Sequence, residues 1–187
     1  FEMLPEGLVG VENPSDIFLS ERPADSPGSI IVSSMEGTRT LLVEVQALVT
    51  SSSSIGMPRR MSAGFDHNRT SLLVAIMEKR LGLNLQGEDI FINIAGGLKI
   101  SEPAVDMGVA AAIAGSFRNR SVDPHTVMIG EVGLTGEVRS VMQLEARLTE
   151  AERLGFKKCI VPHSIKDDRL INKNSALKLV PVKTLSD

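Results

Sequence analysis

The stretch "IGEVGLTGEVRSVMQLEARLTEAERLGFKKCIVP", residues 129–162, alternates between the two kinds of regular structure within a single run. With the residues before it, "HTVMIGEVGLTGEVRSV" reads as strand, turn, strand, because β-branched and apolar residues flank a Gly-Leu-Thr-Gly turn signal. "QLEARLTEAERLG" then places Leu144, Leu148 and Ala151 on one face of a helix, with Gly155 as its stop. "KKCIVP" follows as a short buried strand holding Cys159.

Working outward, "NRTSLLVAIMEKRLG" predicts a helix with Leu72, Leu73, Ile76 and Met77 on one stripe. Lys79 and Arg80 lie in its last turn and Gly82 follows as its stop. "ISEPAVDMGVAAAIAG", residues 100–115, predicts a second, small-residue helix from Asp106 to about Arg118, close-packed because of Gly108 and its alanines. "SIIVSSMEGTRTLLVEVQALV" is a hairpin around Glu-Gly-Thr, and "EDIFINIAGGLKI" reads as two strands around Gly-Gly. "TSSSSIGMPRRMS" (50–62) is a loop, Ser164 to about Leu170 a short helix, and "LKLVPV" a last strand. Residues 1–28, rich in Pro, Gly, Asp and Ser, read as a connecting segment with at most a short helix near Ile17 to Glu21; residues 29–187 read as the domain proper. Early hairpins and irregular interleaving argue for α+β over a doubly wound sheet.

A chain of 187 residues can bury a sizeable core without staples. Aromatics are only 3%, so that core is aliphatic and base stacking has little to work with. Net charge is −3, which leaves polyanion binding to a local patch. One cysteine, no secretory leader and no long apolar span point to a cytosolic protein. The opening "FEMLPEGLVGV", without an initiator Met, suggests the C-terminal part of something longer.

No G-x-x-x-x-G-K-[ST] loop occurs, and one cysteine with His67, His125 and His163 gives no metal-ligand spacing. A family resemblance does emerge. A Gly-Glu pair (Gly130, Glu131), a second glycine six residues on, an amphipathic helix, then glycine and a strand ending in Pro resemble the proteolytic domain of Lon proteases. "GGLKISEPAVDMGVAAAIAG" resembles the segment that carries their nucleophile. The resemblance implies a ribosomal-protein-S5-domain-2-like α+β fold. It also implies a Ser–Lys dyad whose Ser falls here on Asp106 and whose Lys falls on Glu145. A dyad needs a hydroxyl nucleophile and a neutral amine to take its proton, and neither carboxylate supplies one. Peptidase activity is therefore not expected, so no catalytic residue is assigned, and an altered hydrolase using Asp106 and Glu145 stays an alternative. Asp106 is expected to be a helix cap accepting from Gly108 or Val109, and Glu145 a first-turn acid. The sharper alternative has the two acids facing each other.

Among Lon-like domains without a dyad, "GLVGVENPSDIFLSERP", "GMPRRMSAGFDHNRTSLLVAIMEKRLGL" and "GEVGLTGEVRSV" are similar to the C-terminal domain of the RadA (Sms) family of bacterial DNA-repair and recombination proteins. That resemblance implies a preceding zinc finger and RecA-like ATPase, which would hold any zinc, ATP and magnesium, leaving no cofactor for this part. It further implies a homo-hexameric ring on DNA driving branch migration, a RecA-type recombinase as a further partner, and no membrane association. Arg59, Arg60 and Arg69, with Asn68 beside them, form the candidate DNA-contacting cluster, because guanidinium groups on a flexible loop can reach phosphates with little base specificity. The alternative is an oligomerisation scaffold that touches no DNA.

Overall fold

The computed structural model describes residues 2–5, 7–9, 15, 19, 25–52, 57–164 and 176–187. Strands β1 (Glu2–Leu4) and β2 (Gly7–Val9) form a small antiparallel ribbon of their own. The hairpin of β3 (Ser29–Glu36) and β4 (Arg39–Ser51) is the centre of the main sheet, in register from Ser29 opposite Gln46 to Glu36 opposite Arg39. Both strands are buried on both faces over much of their length, and alternation divides them between two cores. Ile30, Val32, Val43 and Val45 enter one; Ile31 and Leu42 enter the other.

Strand β5 (Arg60–Ala63) leads through Asp66 into helix α1 (His67–Leu81), and β6 (Glu88–Ile94) returns antiparallel to β4 and parallel to β5. Helix α1 is capped at one end by Asp66, which accepts from the Arg69 N–H at 2.7 Å. It ends at Gly82, left-handed at φ 65°, with Lys79 and Arg80 in the last turn. After helix α2 (Asp106–Phe117), β7 (Thr126–Met128) joins β3 in parallel. A separate two-stranded hairpin, β8 (Glu131–Val132) with β9 (Val138–Arg139), precedes helix α3 (Leu144–Arg153). Strands β10 (Lys158–Pro162) and β11 (Lys178–Val182) complete the sheet in the order β11-β10-β7-β3-β4-β6-β5. Four of its six pairings are parallel, so it is mixed, in keeping with the expected α+β class.

Helices α1 and α2 cover one face, burying Leu73, Ile76, Met77, Val109, Ala112 and Ile113. Helix α3 covers part of the other with Leu148 and Ala151, against Ile31, Leu42, Val127 and Cys159. The Cys159 thiol is fully buried, and burial pushes its pKa far up, so it is an inert core group.

Four element expectations need correction. The segment 1–28, expected to hold at most a short helix, holds the β1–β2 ribbon, and Arg60–Ser62 of the expected loop 50–62 belong to strand β5, paired with β6. The Gly-Gly segment holds one strand, not two. Left-handed Gly96 (φ 73°) and Gly97 (φ 67°) turn the chain out of β6 into a short 3-10 turn, and only Ile100 makes a bridge afterwards, to Phe65. The expected strand-turn-strand over 125–141 is three short strands, of which only β7 belongs to the main sheet. The helices expected near Ile17 to Glu21 and from Ser164 to Leu170 lie outside the described residues, apart from single positions.

Candidate functional site

Asp106 opens α2 immediately after a 3-10 turn, Pro103–Val105, and its side chain is fully buried. It does not cap the helix as expected. Val105 holds the cap position, and Asp106 already lies inside the helix. It accepts instead from Arg69 Nε at 2.9 Å, from Arg69 Nη2, and from the Val132 N–H at 3.1 Å. Arg69 also donates to the Val132 carbonyl at 3.0 Å. One guanidinium thus ties the first turn of α1 to the head of α2 and to β8. Burial pushes the Asp106 carboxyl up, and the Arg69 and Val132 hydrogen bonds pull it only part of the way back; Asp106 in turn raises the Arg69 guanidinium.

This pair lines a cleft of about 290 Å³ with Asp66, Ser101 and Glu102. Glu102 makes a second ion pair, with Arg147 of α3, through Nη2 at 2.6 Å and Nη1 at 3.1 Å. Arg147 is the largest fully buried side chain among the described residues, and its remaining donors reach the carbonyls of Ser33 (2.6 Å) and Met142 (3.0 Å). Glu102 also accepts from the Met35 N–H at 2.7 Å. The Glu102–Arg147 pair has no sequence signal, because its partners are 45 residues apart on different elements.

Glu145 is where it was expected, in the first turn of α3, and exposed. It lines a different, open cleft with Arg39, Thr149 and Arg153. The second carboxylate whose charge acts on Asp106 is Glu131, on β8.

The expected arginine cluster is divided. Arg69 sits in the cleft on Asp106. Arg59 and Arg60 lie at the β5 edge of the sheet. Arg59 grips Asp89 through Nε at 3.0 Å, Nη2 at 2.8 Å and its backbone N–H at 2.8 Å, while its guanidinium lies 5.6 Å from the Phe91 ring centre. The Arg59 backbone N–H, then its side chain, hold the Asp89 carboxyl below the ordinary range. Arg60 folds onto the carbonyls of Leu85, at 2.9 Å, and Glu88. Asn68 is exposed at the start of α1. The opposing acids are thus Asp89 and Asp106, distant in sequence, as well as Asp66. His67, His125 and His163 are all exposed, and the described residues hold no group of three His, Cys, Asp or Glu that could take a metal. None of their helices is long and apolar enough to cross a membrane.

The sequence profile of the family described as subunit ChlI of Mg-chelatase matches residues 44–165. The chain belongs to the ChlI family. The ChlI match takes in all four side chains of the two ion pairs around the cleft. The chain is also similar to the DNA repair protein RadA of Halalkalibacterium halodurans, 51% identical over the whole chain and 40% of that relative. With RadA of Bacillus subtilis it shares 57% identity over 87% of the chain and 35% of the relative. With RadA of Synechocystis it shares 48% over 97% of the chain and 35% of the relative. The ChlI-family chain therefore spans about two fifths of these relatives' length.

Proposed function

We propose that this chain is a non-catalytic, Lon-like, ring-forming domain of a DNA repair and recombination protein. Residues 29–187 form the domain and 1–28 lead into it. The observation that carries the reading is identity of about one half to RadA proteins over essentially the whole chain.

The chemistry of the cleft supports the non-catalytic part. Asp106, at the Lon nucleophile position, is a carboxylate held by a guanidinium; it has no hydroxyl oxygen to attack an amide carbonyl. Glu145, at the position of the Lon lysine, lines another cleft. What occupies the dyad's place is an ion pair that joins three elements. ATP hydrolysis, zinc binding and magnesium belong to the parts of a RadA-type protein outside this chain. The domain contributes a ring and, on the first reading, a DNA-contacting surface built from Arg59, Arg60, Asn68 and Arg69.

A second reading, a ring scaffold without DNA contact, is favoured by one observation: Arg59, Arg60 and Arg69 already have carboxylate or carbonyl partners within the chain. Binding to duplex and single-stranded DNA at two salt concentrations separates the two. Phosphate contacts release counterions, so each one lost to substitution lowers the salt slope by about 1. DNA contact predicts salt-sensitive binding that R59A/R60A flattens. Absence of binding by a folded oligomer leaves the scaffold.

A further inference from the structure

We draw no further inference here: the strongest candidate, the apolar trough of about 210 Å³ that α2 forms with β7, β10 and β11 around Ala111, Met128, Ile160 and Val180, carries none, because nothing in the structure shows what covers it.

Discussion

In the Arg69–Asp106 pair the guanidinium side chain is 26% exposed and the carboxylate not at all; in the Arg147–Glu102 pair the acid is 25% exposed and the arginine 2%. Removing one member of a buried pair costs most when the member left behind cannot reach water. Arg69→Ala should therefore cost about 3–5 kcal/mol, whereas Asp106→Ala, which frees Arg69 to turn outward, should cost about 1–2 kcal/mol. In the second pair the roles are exchanged, because the acid is the member that reaches water: Glu102→Ala, which strands the buried Arg147 without its charge partner, should cost about 3–5 kcal/mol. Urea unfolding measures both, and equal losses for R69A and D106A would contradict the burial argument. R69M/D106N should recover most of the R69A loss, since Asn still accepts from Val132 and carries no charge. At the hairpin turn, the Thr135 hydroxyl, with further help from Arg139, pushes the Glu137 carboxyl down to about 2 from an ordinary 4.5. Its folded value is the depressed one, so its contribution is present above the unfolded value and is lost as pH falls through about 2. An NMR titration of the Glu137 side chain should show a midpoint near there, and a midpoint near 4.5 would mean the turn is open in solution.

Elements divide according to what the sequence can carry. Helices α1 and α3 were legible because apolar spacing, terminal charges and a following glycine agree. Helix α2 was legible for a different reason, its run of small residues, and the structure shows what they are for: a Cβ on Gly108 would collide with Val32 Cγ1 on β3. Gly108→Ala should cost about 1–3 kcal/mol through that overlap. Gly82→Ala meets nothing in space and should cost about 1 kcal/mol, from the left-handed backbone alone. Thermal melts of the two variants test this, and a Gly108→Ala protein as stable as wild type would show that α2 can shift away from the sheet. The second strand expected after Gly-Gly failed because alternation alone does not reveal that Gly96 and Gly97 are left-handed. The role of Asp106 was illegible for a related reason: its partner is 37 residues away on another helix, and no local pattern encodes such a meeting.

At the scale of the molecule, the two cores are the two faces of one sheet, joined through β3 and β4, whose successive residues alternate between them. Arg147 strengthens the joint, since it runs from α3 on one side to Ser33 on β3 and to Glu102 beside the head of α2 on the other. Such an arrangement should unfold as one cooperative unit rather than shedding the α3 layer first. Cys159 is a native probe of that layer, fully buried against Leu148 and the only cysteine of the chain. Its alkylation should be blocked until global unfolding and should track the loss of far-UV ellipticity across a urea series. If thiol labelling ran ahead of the ellipticity, the α3 layer would be opening separately, and the buried Arg147 pair would be a local clamp rather than a link between the faces. Glu102→Ala sharpens the comparison, because it breaks the link without touching either apolar core. In the linked protein it lowers both transitions together; in the clamped one it advances thiol labelling alone.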